Sequence, residues 1–564
     1  MQQTTWYDPG RVRREYESGA RFKNGLCPRG LYEQTKINER MYIGDQWHGA
    51  QTGDKPLVRY NIVKRIGDYK LAVAAGNNVT VSYTAEGVPD TGKIRAAAAE
   101  LRRTLKETTP YPTVADVASP AGKPTAADVR LAMSALSDYH RVTAERVKLD
   151  DKKAQALRKA YISGTGILYT YWDSAVTTGL YADEGMTSAV KGDIQCEVLD
   201  VENVYFGNPT CDDVQSQPYI LIAHRRELAD VVREARANHL PTDGIRPDED
   251  PAYSAPDTPE PEDLRKVTVI TKFYKDYAAD GTVRILAAKV TAGAVVRAPW
   301  DTKLRLYPIA KMSWETRSNC IYGDSEVTHL VPNQIAINRS ITASVWAVMQ
   351  IGMPSMVVNG DIVPDEITND PGQIIRVCGS PEEVDGAVRY VAPPNFSPQF
   401  DELVNSLISN TQTQAGANAA ALGDIRPDNM SAILAVREAA TLPMQLLQNR
   451  FYSFLEDNAR IWAEYWLQMY GTRALKMRDE DGDWYMPFCA ERYKDLLVSA
   501  RIDVGAVSPW SQIEERQTLD DLYKAGILNA RQYLERLPKG SVPDIAGLLE
   551  ELKNAPAVPE SEEG

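Results

Sequence analysis

The chain has 564 residues, of which 63 are Lys or Arg and 77 are Asp or Glu, so its formal net charge is −14. An apolar content of 43% and a charged content of 25% are typical of folded globular chains and exclude wholesale disorder, a collagen-like repeat and a membrane transporter. Because proteins that grip phosphate backbones need a basic face, the acidic balance disfavours a dedicated nucleic-acid binder. Nucleic acid could still be a transient partner.

The cysteine pattern and the N-terminus favour a reducing compartment. The six cysteines form no CxxC pair, and the N-terminus lacks the basic-then-apolar pattern of a signal peptide. Two uncharged or nearly uncharged stretches, 340–360 and 403–423, are long enough to span a bilayer. Their Ser, Asn, Gln, Gly and Pro residues are costly in hydrocarbon, so we predict no membrane partner.

The first part of the chain is predicted to be mainly helical. Helical patterns extend to about Trp47, cover 62–75, where apolar residues recur at helical spacing, and continue over 126–163. Residues 167–172 predict a strand. Gly164 and Gly166 precede this strand without a GxxxxGK[ST] pattern, which favours a turn over a phosphate-binding loop.

A loop and a set of strands are predicted next. Residues 240–264 are acidic and contain six prolines, a composition that favours a surface loop. Strands are predicted over 267–274, 283–290 and 295–299, and Asp280–Gly281 is a typical hairpin turn.

Two helices and short strands are predicted in the following segment. A helix begins near Gly323, should bend or restart at Pro332, and ends by Gly352. Short strand-like segments follow at 356–358, 374–377 and 388–391. A second helix begins at Pro398, and its apolar residues Phe400, Leu403, Val404, Leu407 and Ile408 match the amphipathic pattern.

The remaining residues predict a mobile loop and one long helix. Residues 411–423 consist mainly of Thr, Gln, Ala, Asn and Gly and have few side chains that would anchor them. A helix is predicted over 431–470 with a bend at Pro443. Its apolar seam is Ile433, Val436, Ala440, Leu447, Phe451, Phe454, Ile461, Trp462 and Trp466. Two short helices are expected around Gly526.

No catalytic, cofactor or metal motif is evident. The five histidines are far apart and give no zinc spacing, and no GxSxG, P-loop or HExxH pattern occurs. Residues 212–213 and 479–481 are acidic, but nearby Gly or Pro favours solvated turns over cation sites. We predict no catalytic residue, no cofactor and no metal, so the chain is not expected to be an enzyme. A dispersed catalytic site is the alternative, since its members need not be adjacent.

A deficit of basic residues marks the segment 340–423. It contains two basic and nine acidic residues, a net charge of −7, where the chain average of 63 in 564 would give about nine basic residues. One interpretation is an interior segment flanked by acidic loops. The other is a surface past which nucleic acid moves without binding, because acidic and neutral groups offer no partner to phosphate.

The order of these elements resembles that of the portal proteins of tailed bacteriophages, the head-to-tail connectors. The likeness rests on several short segments taken in order: 42–47 (YIGDQW) with 59–63 (RYNIV), 200–205 (DVENVY) with Asp212 and Asp213, 322–326 (YGDSE) with Gln334 and Asn338, and 422–423 (LG) before 431–432 (SA). Together they span nearly the whole chain.

The resemblance implies an α+β, mainly helical fold with wing, stem, clip and crown regions. The implied regions are 1–320 for the wing, with the loop insertion 240–264, 321–350 for the first stem helix, 351–394 for the clip, 395–410 for the second stem helix, 411–429 for the tunnel loop, 430–508 for the long helix and return to the wing, and 509–564 for the crown and an acidic tail. The insertion has no counterpart in the family pattern.

The resemblance also implies the protein's role and partners. Portals form a ring, usually dodecameric, at one capsid vertex, within the virion after assembly in the host bacterial cytoplasm. They contact the major capsid protein, bind the terminase large subunit during packaging and then a head–tail adaptor protein, and pass double-stranded DNA in packaging and ejection. They have no known catalytic residues.

Three groups of site residues follow. The channel is predicted to be lined near its narrowest point by Asn418, Asp424, Arg426 and Asp428. The clip is predicted to contact basic patches of its partners through Asp365, Glu366, Asp370, Glu382 and Glu383. The stem is predicted to form subunit contacts through Ile337, Ile341, Val345, Phe400, Leu403 and Leu407.

A ring also has a physical basis. A channel for B-DNA needs more than about 20 Å of clearance, which one chain cannot enclose but a cyclic interface can. The apolar stem residues would pack against a neighbouring copy or, alternatively, inside one subunit. A different virion protein, such as a tail or collar component, is the alternative function.

Overall fold

The protein is described by a computed structural model. The structure describes residues 6–50, 56–76, 79–89, 91–108, 123–181, 189–248, 265–277, 281, 283–352, 356–358, 380, 388–390, 398–417, 442–479, 482–504, 518–526, 528, 529 and 532–534.

Helices and strands are both abundant, which confirms the α+β fold class. The helices are α1 (Pro9–Gly25), α2 (Leu31–Ile43), α3 (Ile62–Ala75), α4 (Gly92–Thr108), α5 (Ala126–Val147), α6 (Leu149–Ser163), α7 (Leu228–Ala237), α8 (Glu326–Gly352), α9 (Pro398–Gln414) and α10 (Gln445–Met469). The strands are β1 (Val79–Ala85), β2 (Thr165–Tyr181), β3 (Ala189–Leu199), β4 (Val204–Phe206), β5 (Tyr219–Glu227), β6 (Lys266–Tyr277), β7 (Val283–Val290), β8 (Val295–Asp301), β9 (Ile309–Ser313), β10 (Met356–Val358), β11 (Val388–Tyr390), β12 (Thr472–Asp479), β13 (Gly482–Cys489) and β14 (Val498–Val504).

The helix predicted over 126–163 is two helices. The side chain of Thr125 and that of Asp128 form a reciprocal capping box that starts α5. Lys148 then adopts a left-handed conformation with φ of 52° and separates α5 from α6. The break turns the chain while Val147 and Leu149 on either side remain buried, so burial of these two side chains offsets the cost of the unfavourable backbone conformation.

Proline interrupts the predicted helix at Pro443 but not at Pro332. Pro332 lies inside α8, which is continuous through it, although proline lacks the N–H that would bond to the preceding turn. Pro443 lies in a 3₁₀ turn, Leu442–Met444, and α10 begins after it. The predicted seam residues of α10 from Leu447 to Trp466 are buried, and the earlier part of the seam lies outside the described residues.

The strands form two larger sheets and three two-stranded sheets, β1 with β14, β10 with β11 and β12 with β13. Strands β4 to β8 form a five-stranded antiparallel sheet in chain order, and β2 lies between β3 and β9 in a three-stranded sheet. The predicted strands at 167–172, 267–274, 283–290 and 295–299 are confirmed within these sheets. Gly281 has φ of 83°, as the predicted hairpin turn requires, and its neighbour Asp280 lies outside the described residues.

Aromatic side chains from distant parts of the chain form the main core. Trp462 and Trp466 of α10 are fully buried, with ring centroids 6.0 Å apart. Tyr83 of β1 lies edge-on to Trp466 at 5.7 Å, and His140 of α5 lies 4.7 Å from Trp462. Strand β1 is fixed beside this core by pairing with β14, more than 400 residues away in the sequence.

Among the residues that the structure describes, no helix combines the length and hydropathy needed to cross a bilayer. Within the same ranges, no group of three or more His, Cys, Asp or Glu side chains is placed to hold a metal ion.

Candidate functional site

Helix α8 leads from the core of the protein to its surface. Val327, Leu330 and Ile337 in its first half are buried. Toward its end, Val348 and Met349 are 59% and 47% exposed. The only charged or titratable side chains of α8 are Glu326, His329 and Arg339, so its second half has none. The helix therefore has a buried base and an apolar, uncharged far end.

Helix α9 packs against α8. Val404 is buried, and Leu407 and Ile408 pack against the main core, whereas Leu403 is 51% exposed. The apolar stripe of α9 thus packs largely inside its own chain, one of the two alternatives that the sequence left open. Leu403 is its exposed exception.

The segment after α9 is anchored where it is described. The second stem helix was predicted to end at residue 410, but α9 continues to Gln414. Thr411, Ala415 and Ala417 are buried, so the prediction that residues 411–423 have little to anchor them is wrong for 411–417. Small side chains suffice here because they fit closely against neighbouring core residues. Residues 418–423 lie outside the described ranges.

A ladder of polar side chains fixes the base of α8 to the segment 58–63. Gln334, Asn338 and Thr342 lie four residues apart on one face of α8 and are all buried. Gln334 Oε1 accepts hydrogen bonds from the backbone N–H groups of Ile62 (2.9 Å) and Val63 (3.2 Å), which begin α3. The carboxamide therefore satisfies N–H groups that a helix N-terminus leaves without an intrahelical partner.

The other members of the ladder hold the residues before α3. Gln334 Nε2 donates to Tyr60 O at 2.7 Å, and Asn338 Oδ1 accepts from Tyr60 N at 3.0 Å. Asn338 Nδ2 donates to Gln46 Oε1 at 2.5 Å, and Thr342 Oγ1 accepts from Val58 N at 3.3 Å. Three of the segments that carry the resemblance, 42–47, 59–63 and the pair Gln334 and Asn338, thus meet in one hydrogen-bonded junction.

The turn that starts α8 depends on a close contact between two glycines. A Cβ on Gly323 would lie 2.1 Å from Gly164 O, and a Cβ on Gly164 would lie 2.5 Å from Gly323 O. Gly164 also has φ of 86° and ends α6. Only glycine allows this approach of backbone to backbone, and the predicted turn at Gly164 is confirmed.

Charged side chains complete the start of α8. Glu326 accepts hydrogen bonds from Lys70 Nζ at 2.5 Å and from Trp314 Nε1 at 3.0 Å. Asp324 pairs with Arg317 at 2.7 Å. Burial would raise the pKa of Asp324, but hydrogen bonds from Arg317 and nearby positive charge lower it below its usual value. The carboxylate therefore stays ionised and holds Arg317 against the turn.

A buried lysine fixes the segment 200–205. Lys23 of α1 donates to Val201 O at 2.5 Å and to Glu202 O at 3.1 Å, and its ammonium lies 3.6 Å from the centroid of the Tyr205 ring. Burial lowers the pKa of Lys23 well below its usual value, an effect that the Glu202 carboxylate partly opposes. Tyr205 OH also contacts Tyr32 OH at 2.8 Å. The segment is thus tied to both N-terminal helices.

The predicted site residues fall into two groups. Of the stem residues, Ile337 is enclosed by its own chain, so it serves the core rather than an external contact, and Ile341, Val345, Phe400 and Leu407 are half-buried. The predicted channel and clip residues lie outside the described residues: Asn418, Asp424, Arg426, Asp428, Asp365, Glu366, Asp370, Glu382 and Glu383.

Two structural features were not predicted from the sequence. The spacing of Gln334, Asn338 and Thr342 on one face of an otherwise apolar helix is a signal that such polar side chains have buried partners. The burial of Lys23 has no comparable signal, because α1 is rich in charged residues and this lysine resembles its neighbours.

Comparisons with known proteins give a likeness to solved structures and no family. No protein-family profile matches the chain, and no curated protein matches it. Among solved structures, a chain from "Virion of native gene transfer agent (GTA) particle" is similar, with 11% sequence identity, 93% of this chain and 98% of that chain covered, and a TM-score of 0.36.

Proposed function

We propose that this chain is a virion structural protein of the portal type, many copies of which close into a ring around a channel for double-stranded DNA at one capsid vertex. The observation that carries the proposal is the α8–α9 pair, whose base is buried and hydrogen-bonded and whose far end exposes Val348, Met349 and Leu403. Exposed apolar side chains that form one patch are typical of protein interaction sites.

A neighbouring copy of the same chain is the partner that this end of the pair fits best. Repeating one heterologous contact around an axis closes a ring and covers every copy's apolar end. The second half of α8 carries no charged side chain that would be costly to desolvate in such a contact, whereas α9 carries Asp401 and Glu402 on its exposed face.

The acidic balance of residues 340–423, net charge −7, supports passage of DNA rather than its capture. A wall without lysine and arginine releases few counterions and therefore binds DNA weakly. In this proposal the ring has no catalytic site of its own, contacts the major capsid protein, and binds the terminase large subunit and later a head–tail adaptor. It is located in the virion and assembled in the host cytoplasm.

Assembly can be tested with a matched pair of variants. Val348 on α8 and Leu497 outside the helix pair are 59% and 60% exposed. We expect native mass spectrometry and negative-stain imaging to show a ring with a through-channel for the parent and for Leu497→Asp. Val348→Asp should shift the chain to smaller species, because each apolar contact of this kind contributes about 1.5–3 kcal/mol when fully buried and the aspartate must be desolvated.

Other outcomes would contradict this assignment. A parent chain that is monomeric at all concentrations, or a Val348→Asp variant that assembles like the parent, would contradict the role of the helix pair. An assembly without a channel wide enough for B-DNA would instead favour a tail or collar component.

DNA passage has its own test. Glu402 of α9 and Glu100 of α4 are both exposed glutamates inside helices. In assembled rings, Glu402→Lys should strengthen binding of a duplex at low salt and steepen its salt dependence, because each copy adds a phosphate partner. Glu100→Lys should have little effect. Equal effects of the two variants would place Glu402 away from the DNA path.

A further inference from the structure

A cleft of about 830 Å³ lies between the two larger sheets. One wall is formed by Tyr169 and Tyr171 of β2 and by Glu197 of β3. The other wall is a row of residues that the register places side by side on four neighbouring strands, Ile222, Thr271, Lys289 and Arg297. Its size lies within the range of about 300–1,000 Å³ that is usual for ligand sites.

Aromatic rings form much of the surface of this cleft. Tyr169 stacks on Tyr171 with ring centroids 5.6 Å apart and also contacts Phe273 across the cleft floor at 6.0 Å. Trp172, Trp300 and Tyr465 complete the aromatic lining. Such rings offer stacking surfaces for a flat ligand.

The charges of the cleft balance one another. Lys289 pairs with Glu234 of α7 at 2.6 Å, and Arg226 of β5 pairs with the same carboxylate. The third cation, Arg297, stacks its guanidinium on the Trp300 ring at 4.0 Å. The lining also includes Glu197 and Asp301, so three cations face three carboxylates. A phosphate would find two of the cations already paired.

His224 of β5 lines the cleft and carries a buried ring nitrogen. Within the described residues, its Nε2 atom is buried and makes no hydrogen bond. Burial lowers the pKa of His224, which nearby Glu197 opposes and nearby Arg226 and Lys289 reinforce. The imidazole is therefore uncharged at neutral pH, and an uncharged ring nitrogen either donates or accepts. A buried polar atom left unpaired is costly, and a ligand that pairs with it removes that cost.

We propose that this cleft binds an uncharged heteroaromatic ring, namely a nucleobase, stacked on the tyrosine and tryptophan rings and hydrogen-bonded to His224. The balanced charges favour a neutral ligand, the aromatic lining favours a flat one, and the unpaired nitrogen favours one with a polar edge. The base can come from a free nucleoside or from a single-stranded nucleic acid. The proposal is independent of ring formation.

The first test uses isothermal titration calorimetry of the full chain with adenosine, guanosine, cytidine and uridine. We expect saturable binding of at least one nucleoside, weakened at least tenfold by His224→Leu. That substitution removes the hydrogen bond and puts an apolar side chain at a half-buried position, so the variant should fold about as well as the parent in a thermal unfolding measurement. His48→Leu, on a side chain that is 55% exposed, should bind like the parent.

A second variant, Glu197→Gln, tests the preference of the cleft for an uncharged ligand independently of His224→Leu. Nucleoside monophosphates should bind the parent more weakly than the nucleosides do, because of Glu197 and Asp301, and Glu197→Gln should narrow that difference. Glu197 is exposed, so this variant is expected to fold. Nucleotides that bind the parent more tightly than nucleosides would overturn the proposal.

Oligonucleotide binding distinguishes a free nucleoside from a single-stranded nucleic acid as the source of the base. Nucleic acid would be identified as the source of the base if a single-stranded oligonucleotide binds more tightly than any nucleoside. Its affinity should fall as the salt concentration rises, and its binding should be lost in His224→Leu. An oligonucleotide that binds no more tightly would identify the free nucleoside. The proposal fails if no nucleoside or oligonucleotide binds at millimolar concentration, if His224→Leu and His48→Leu bind alike, or if monosaccharides bind in preference to nucleosides.

Discussion

Acid should destabilise this protein through His140. The imidazole is buried in the main core between Tyr83, whose OH lies 2.7 Å from Nδ1, and Trp462. Burial, reinforced by the positive charge of Lys153 on α6, lowers the pKa of His140 from 6.5 to about 3. The unfolded chain therefore binds a proton below about pH 6.5 that the folded chain does not bind until about pH 3.

The magnitude follows from this difference in pKa. Since the unfolded state binds more protons in this window, stability falls as pH falls. Between pH 7.5 and pH 5.5 the His140 contribution to the free energy of unfolding should fall by about 1.4 kcal/mol, using about 1.36 kcal/mol per pKa unit. The lower pH stays above the isoelectric point near 5.1, which limits precipitation.

The assay is urea unfolding at both pH values, followed by tryptophan fluorescence, for the parent, His140→Gln and His48→Gln. His140→Gln loses ring packing and should be less stable at both pH values, but its stability should fall by about 1.4 kcal/mol less than that of the parent between them. His48 lies at the surface, so His48→Gln should follow the parent. Equal pH-dependent losses in the parent and in His140→Gln would refute the reasoning.

Two further predictions concern the base of α8. Gly323→Ala should lower the free energy of unfolding by about 2–3 kcal/mol, because its Cβ would meet Gly164 O at 2.1 Å. The control is Gly25→Ala, where no atom lies within 4 Å, and it should change the free energy of unfolding by less than about 1 kcal/mol. Equal urea midpoints for the two variants would contradict the contact between the two glycines. Gln334→Ala leaves the buried N–H groups of Ile62 and Val63 without their acceptor and should lower the free energy of unfolding by about 1–3 kcal/mol, whereas the neighbouring Asn333→Ala should lower it less. Hydrogen exchange at the start of α3 measures the difference. Unchanged protection of these amides in Gln334→Ala would show that the ladder does not hold this segment.

Local patterns allowed much of the secondary structure to be predicted. The periodicity over 62–75 gives α3 with the predicted bounds, and 283–290 gives β7. In strands the alternation of apolar residues, and in α10 the apolar seam, indicate which side chains are buried. Such a pattern can be found from neighbouring residues alone, because it depends only on the period of the helix or strand. The break at Lys148 was missed because nothing in the 126–163 pattern interrupts its helical period.

Partners that are distant in the sequence could not be predicted. No strand was predicted over 79–85 or 498–504, and the pairing of these residues as β1 and β14 depends on how the intervening residues fold. The same holds for the candidate site: Gln334 was noted as part of a resemblance, and its partners at Ile62 and Val63 became visible only in three dimensions.

The sequence by itself determined the acidic balance, the deficit of basic residues over 340–423, and the helices and strands whose apolar period is strong. Only the tertiary structure decided which ends of α8 and α9 are enclosed by the chain and which are exposed, and that His224 and six aromatic rings share one cleft. The reason is that apolar patterning fixes which face of an element is buried, whereas the identity of what covers that face depends on contacts between residues far apart in the chain.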